Sequence, residues 1–361
     1  MDKPYAHFNR LLAGIVEHQA SDLHLAEGRA ACWRLHGRLA SMDETVWTPD
    51  MMAALLGELL GAQQVRDLAE KGTVDLGLTS QNGERFRINV FRSLNRPALV
   101  ARHLPSHFAS FNELRLPESV RQLASLADGL VLVTGITGSG KSTTLATIIN
   151  EINASLPAHI LTIEDPVEFV HQPKQSIVSH RELYTDVPDF ASAVKASLRE
   201  DPDVILVGEL RDTETMRAAL TAAETGHLVF STLHTADTSG AIERFVGGFP
   251  GEEQSVVRHR LALVLKAVVA QQLLPLNGQP GRVAAIEVLQ VTPAVANLIA
   301  SGRTAQIYSA IESGRDAGMQ TFDQALAALT RDNLIAADEG RRLARDPNGF
   351  DRLLRQGRPL L

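Results

Sequence analysis

Eight consecutive residues, Gly135-Ile136-Thr137-Gly138-Ser139-Gly140-Lys141-Ser142, have the types and spacing to hold a chain of phosphates. They complete the pattern G-x-x-x-x-G-K-[ST], in which glycines let backbone N–H groups turn inward around an anion. Lys141 would reach the β- and γ-phosphates, and the Ser142 hydroxyl would ligate Mg²⁺. A helix beginning at this point adds a dipole that favours negative charge. Gly135, Thr137, Gly138, Ser139, Gly140, Lys141, Ser142 and Thr143 are therefore the candidate contacts to a nucleoside triphosphate such as ATP. The plain alternative, an ordinary glycine-rich turn, has eight positions in the right context against it.

Three further segments carry groups suited to work on that phosphate chain. Glu164 and Asp165 stand after the apolar run 160–163, and Pro166 biases Asp165 toward extended backbone, so a metal or a water could meet the two carboxylates. A solvated acidic turn is the other reading of this segment. Glu209 follows Val204-Ile205-Leu206-Val207-Gly208, where Gly208 occupies the place at which many phosphate-loop enzymes carry a magnesium-holding Asp. Glu209 is the candidate to orient or deprotonate the attacking water, with a structural salt bridge as the alternative. His234, in Ser231-Thr232-Leu233-His234-Thr235, is the candidate γ-phosphate sensor or water-positioning group, whereas His227 stands at the other end of the strand and fits packing better. Arg85, Arg87 and Arg102 belong to the other half of the chain. Strand arginines are usually surface charges, yet phosphoryl transfer often needs a cation from outside the phosphate loop, and in a ring one subunit's arginines can reach its neighbour's γ-phosphate.

The elements that must position these groups follow from periodicity. Leu130–Val133, Ile160–Ile163, Val204–Val207 and Leu228–Phe230 read as strands. Residues 143–149, 189–200 and 213–225 read as helices between them, an alternation that implies parallel strands, right-handed crossovers and a three-layer α/β domain. Acidic and histidine groups at the carboxyl ends of such strands converge where open α/β sheets bind ligands. Earlier, 5–19 and 50–70 read as helical, and 22–25, 33–35, 74–78, 84–90 and 99–104 as strands, with Gly28, Gly37 and Gly72 as punctuation. Phe86, Ile88 and Val90 share one face of their strand while Arg85 and Arg87 share the other. The Pro, Ser and Asn content of 105–112 marks a linker. A long helix is expected over 252–274, a strand over 282–289, and short helices beyond 292. The resulting division is 1–104 as N-terminal domain, 105–116 as linker, 117–291 as ATPase core and 292–361 as helical tail.

Composition narrows the class. The chain has 361 residues, 44% hydrophobic and 21% charged, as a soluble protein of two domains would have. The absence of an eighteen-residue apolar stretch and of a charged-then-apolar start favours the cytoplasm over a membrane span or secretion. The single cysteine, Cys32, excludes an intrachain disulfide and a cysteine-built zinc site. A net charge of −7 and the lack of a base-stacking aromatic cluster count against a nucleic-acid partner.

Taken together these residues resemble the PilT family of type IV pilus motor ATPases, within the secretion-ATPase superfamily. Ala20–Leu25 resembles its N-terminal signature and 135–143 its Walker A loop. Residues 163–166 resemble its Asp box, 206–209 its Walker B segment, and 223–227 through 232–235 its His box. The resemblance implies a PAS-like α+β N-terminal domain, a RecA-like three-layer α/β ATPase domain with a helical tail, and a homohexameric ring. It implies ATP and Mg²⁺ at Walker A, metal or water and general-base roles for Glu164 and Glu209, and completion of the site by Arg87 and Arg102. It also implies work beside the inner membrane with a PilC-like platform protein, and shared work with a paralogous motor. Glycine before the Walker B glutamate is normal there. The tail departs: Ala294-Val295-Ala296-Asn297-Leu298-Ile299 stands where retraction members carry Ala-Ile-Arg-Asn-Leu-Ile, so Ala296 replaces an arginine. The expected function is pilus retraction. Pilus assembly or type II secretion is the alternative, disfavoured by the missing four-cysteine insertion. A nucleic-acid translocase and a non-hydrolysing ATP-binding scaffold are readings from other classes.

Overall fold

A computed structural model of the chain describes residues 3–35, 38–104 and 108–355. The punctuating Gly37, the first three linker residues (105–107) and the last six tail residues lie outside the described residues. The fold is mixed α/β and forms two compact units, one from Met1–His107, Asp165–Val170 and Glu182–Pro188, the other from Phe108–Glu164, His171–Arg181 and Asp189–Leu361.

The first unit contains α1 (Pro4–Glu17), β1 (Asp22–Ala26), β2 (Ala30–Leu35), β3 (Arg38–Val46), α2 (Pro49–Leu59), α3 (Ala62–Lys71), β4 (Thr73–Thr79), β5 (Arg85–Ser93) and β6 (Arg96–Leu104). Its six strands pair antiparallel in the order β3-β2-β1-β6-β5-β4. Alternation decides the faces. Phe86, Ile88 and Val90 are fully buried, and α1 lays Phe8, Leu11, Leu12 and Ile15 on the same core at helical spacing. Each such side chain contributes roughly 1.5–3 kcal/mol by leaving water.

The second unit begins with the short α4 (Glu118–Arg121), then β7 (Gly129–Thr134), α5 (Lys141–Ser155), β8 (His159–Glu164), β9 (Ile177–Glu182), α6 (Phe190–Ser197), β10 (Val204–Val207), α7 (Thr213–Glu224), β11 (Leu228–Leu233) and α8 (Thr238–Gly247). It continues with α9 (Gly251–Val264), β12 (Leu265–Pro275), β13 (Arg282–Gln290), α10 (Pro293–Ala300), α11 (Ile307–Ser313), α12 (Phe322–Arg331), α13 (Ala337–Leu343) and α14 (Pro347–Arg355). The sheet order is β13-β12-β7-β11-β10-β8-β9, parallel from β12 through β8 and antiparallel at β13. β7, β10 and β11 are buried at every residue, the continuous apolar run of strands covered on both faces. Asp189, Asp212 and Asp237 cap α6, α7 and α8 by accepting from Ser192 N (2.7 Å), Thr215 N (2.8 Å) and Gly240 N (2.6 Å), each worth about 1 kcal/mol. The tail helices close over Leu274 and Val283 with Leu326, Ile335 and Phe350.

One expectation is overturned here. The helix expected over 252–274 stops at Val264, and Leu265–Pro275 is a strand between β7 and β13. Val264, Leu265, Val268 and Val269 fit helical spacing, but 265–270 is mostly apolar and buried on both faces, and a run of that kind does not declare its period. Val256, in the part of the segment that is helical, is exposed. β3, β9 and α8 were not foreseen.

Candidate active site at the carboxyl edge of the parallel sheet

The second unit's sheet delivers four strand ends to one edge. In register, Thr134 of β7 sits beside Leu233 of β11, and Val207 of β10 lies between Ser231 of β11 and Ile163 of β8. The phosphate-loop pattern, Glu164, Glu209 and His234 therefore leave neighbouring strands at the same end.

The loop 135–140 has a conformation that only glycine tolerates at its ends. Gly135, Gly138 and Gly140 have φ of +151°, +78° and +90°. A Cβ on Gly135 would stand 2.4 Å from both the Gln271 carbonyl oxygen and Ser139 Oγ, and one on Gly140 would stand 2.7 Å from Gln271 Nε2. Lys141 is buried and folds back along the loop, its Nζ donating to the carbonyls of Gly135 (2.8 Å) and Ile136 (3.1 Å). Ser142 at the start of α5 is exposed, as are Thr137 and Gly138, while Thr143 is half-buried. Ser139 Oγ is buried without a hydrogen-bond partner. A glycine-built turn, a folded-back ammonium, an orphan hydroxyl and a helix N-terminus fit a phosphate chain.

Beside the loop, Glu209 is held from several sides. The Gly208 N–H donates to the Ile163 carbonyl (2.8 Å), Thr232 Oγ1 donates to the Gly208 carbonyl (2.7 Å), and the Leu210 N–H donates to the Thr232 carbonyl (3.1 Å). A Cβ at Gly208 would stand 3.3 Å from the Ile163 carbonyl oxygen, a tight contact with the backbone of β8. The Glu209 carboxylate pairs with Arg211 and lies 3.4 Å from His234 Nε2, with Glu209 largely covered and His234 half exposed. His227 is at the opposite end of β11, where its Nδ1 donates to the Ala222 carbonyl (3.0 Å) as α7 ends. Glu164 is the half-buried last residue of β8.

Two features of this edge have no contiguous pattern in the sequence. Thr134 Oγ1 accepts from the Thr235 N–H (2.9 Å) and lies 2.9 Å from the Thr235 carbonyl, locking the residue before the loop to the residue after His234. A cavity of about 530 Å³ opens beside the first turn of α5, lined by Gly140, Thr143, Thr144, Arg115, Leu273 and Arg282 among others.

The candidate arginines lie in the first unit. Arg87 and Arg102 are directly opposite on β5 and β6, and each has its own counter-charge: Arg102 Nε meets Asp22 Oδ1 at 2.8 Å, and Arg87 Nε meets Asp75 Oδ1 at 3.3 Å. Burial opposes ionisation of Asp22, but the Ser21 hydroxyl and the Arg102 guanidinium outweigh it and hold the carboxyl below its ordinary range. Arg85 is engaged differently, in a partly buried pair with Glu182, which also accepts from the N–H groups of Gly77 and Val167 (3.2 Å each). Among the described residues no helix is long and apolar enough to cross a membrane, and no cluster of three or more His, Cys, Asp or Glu is placed to hold a metal.

The family model described as "Type II/IV secretion system protein" matches residues 4–333. The chain is 46% identical over 313 residues to a twitching motility protein of Neisseria gonorrhoeae, covering 87% of this chain and 84% of that one. It is 43% identical over 340 residues to the type IV pilus retraction ATPase PilT of Pseudomonas aeruginosa, covering 94% and 98%. A crystal structure of the pilus retraction motor PilT with bound ADP superposes with a TM-score of 0.87 at 40% identity, covering 95% and 98%.

Proposed function

Because the chain belongs to the type II/IV secretion system protein family, we propose that it is a PilT-type motor ATPase whose hydrolysis of ATP powers type IV pilus retraction. The observation that supports this most directly is the meeting, on adjacent strand ends, of a glycine-built loop carrying Lys141 with the Glu209–His234 pair.

In this reading the N–H groups of the loop and Lys141 bind the β- and γ-phosphates, and the nucleoside end occupies the cavity beside Thr143 and Thr144. Ser142 would hold Mg²⁺ together with phosphate oxygens, since Mg²⁺ is usually bound through few protein groups plus its substrate. The ion would supply charge neutralisation. Glu209 accepts a proton from the attacking water as its oxygen bonds to the γ-phosphorus and the bond to the β-phosphate oxygen breaks, releasing ADP and phosphate. His234, tied to Glu209, senses the γ-phosphate, and Glu164 orients water or metal from the next strand end. Arg87 and Arg102 supply transition-state cations. The working assembly is a homohexamer in the cytoplasm, at the periphery of the inner membrane, engaging a PilC-like platform protein and sharing work with a paralogous motor.

Lys141→Ala tests the core of this reading. It removes the ammonium that meets the phosphates, so nucleotide affinity falls and turnover is abolished. An unchanged kcat in the purified assembly would remove the claim.

A further inference from the structure

Gln271 is a buried carboxamide with both polar atoms committed to the phosphate loop and its helix. Its Nε2 donates to the Ser139 carbonyl at 2.7 Å, and its Oε1 accepts from Thr144 Oγ1 at 2.7 Å. The partners fix the orientation of the amide, because a carbonyl can only accept and the threonine hydroxyl is left to donate. The backbone places it equally well. From Ala267 onward β12 follows β7 in register as far as Ala270 beside Thr134, so Gln271 occupies the next step, where β7 leaves the sheet as Gly135. The two glycines whose Cβ positions would strike Gln271 are Gly135 and Gly140, at the two ends of the loop. The loop is wrapped around this one residue.

We propose that Gln271 is a positioning residue for the phosphate loop, bridging the Ser139 carbonyl to Thr144 so that the loop's N–H groups are set for phosphate before nucleotide arrives. The mechanism is peptide planarity. In a trans peptide the N–H of Gly140 points opposite to the Ser139 carbonyl, so drawing that carbonyl toward Gln271 turns the Gly140 N–H away from β12. Thr144, one turn into α5, anchors the other end of the bridge, and a carboxamide is the side chain of this length that can donate to one partner and accept from the other. Leucine would leave the Ser139 carbonyl and the Thr144 hydroxyl unpaired, and an ionised glutamate would set lone pairs against the Ser139 carbonyl. The proposal rests on the reading of 135–142 as the nucleotide site.

The test uses the full chain with ADP and ATP as probes. Gln271→Leu and Gln271→Glu are each expected to raise the ADP dissociation constant and the ATP KM in parallel by about tenfold, with kcat changed by less than about threefold. A merely structural role would lower the folded fraction, and with it apparent kcat, at unchanged KM. The Gln271→Glu variant adds a pH signature. Protonated, its carboxyl again donates to the Ser139 carbonyl and accepts from Thr144, so its KM is expected to approach that of the wild type as pH falls from 8 to 6. Where either variant fails to fold, Thr144→Val, which frees only the far end of the bridge, is expected to raise KM by about threefold. Wild-type affinity and KM in folded Gln271→Leu or in Thr144→Val would overturn the proposal while leaving the nucleotide reading intact. A wild-type chain that binds no ADP would overturn both.

Discussion

Glu209 keeps its carboxylate at the strand edge because both residues that flank it are tied to the neighbouring strands: β8 holds Gly208 from one side and β11 holds Gly208 and Leu210 from the other. Glu209→Gln preserves that shape and removes the base, so it is expected to bind ATP and to hydrolyse it at least about a hundredfold more slowly in a single-turnover assay. Surviving turnover would move the base to Glu164. The sequence made the phosphate loop legible because its chemistry is contiguous, and it brought Glu164, Glu209 and His234 into view because each follows an apolar run. It hid Gln271 and the Thr134–Thr235 lock, whose partners lie more than 100 residues away. His171 was hidden because its burial is a property of the fold and of no local pattern. It is buried against the Phe108 ring (4.5 Å between centroids), with Nδ1 lacking a partner, and burial first, then His180 and Lys174, push its pKa down to about 3. The folded state therefore keeps His171 neutral while the unfolded chain takes up a proton near its ordinary value, so the stability it contributes is present above about pH 6.5 and is lost as pH falls toward 3. In urea titrations between pH 7 and 4, His171→Phe is expected to flatten the pH dependence by up to ~1.4 kcal/mol per pH unit. Curves of equal slope for variant and wild type would show that this histidine does not carry the effect.

At the scale of elements, type was easiest to read where one face meets water. The alternation in β5 and the helical spacing in α1 state their partners' direction, whereas β12, covered on both sides, shows only an apolar run that suits helix or strand. Its pairing with β7 and β13 decided the matter, and pairing is a property of distant segments. The tail helix α10 raises the converse question. Thr292 caps it by accepting from the Val295 N–H (3.4 Å), Pro293 opens it, and Val295 and Ile299 are its fully buried residues, leaving Ala296 half-buried beside that face. An arginine there can keep its stem on the apolar surface and its head in water. Ala296→Arg is therefore expected to be a near-neutral exchange, leaving ATP hydrolysis within about twofold of wild type and pilus retraction speed unchanged. Faster retraction at equal hydrolysis would show that α10 transmits force, and an altered hydrolysis rate would show that the tail and the active edge are coupled.

For the whole molecule, the alternation of strand and helix was enough to read a three-layer unit, but not the excursions of 165–170 and 182–188 into the first unit. Those depend on pairs such as Arg85 with Glu182, separated by 97 positions, which no local pattern announces. The same unit carries a costly arrangement that needs a reason. Arg87 and Arg102 face each other across two strands, and like charges directly opposite are destabilising unless something is gained by holding them. Asp75 and Asp22 offset the cost, and the Arg102 side chain remains 65% exposed. In the proposed function that exposed cation serves the transition state of hydrolysis. Arg102→Ala leaves Asp22 with the Ser21 hydroxyl (2.7 Å) and Arg34 (3.8 Å), so the fold and nucleotide binding are expected to survive while hydrolysis falls roughly a thousandfold. Mixing then separates action within a chain from action between chains. If the arginine serves a neighbour in a ring, equal amounts of Arg102→Ala and Lys141→Ala protein, co-assembled, place an intact loop against an intact arginine at about a quarter of the interfaces, and ATPase activity should recover to about that share of the wild-type rate. A co-assembled mixture no more active than its better parent would mean that Arg102 acts within its own chain or that the ring fires only as a whole.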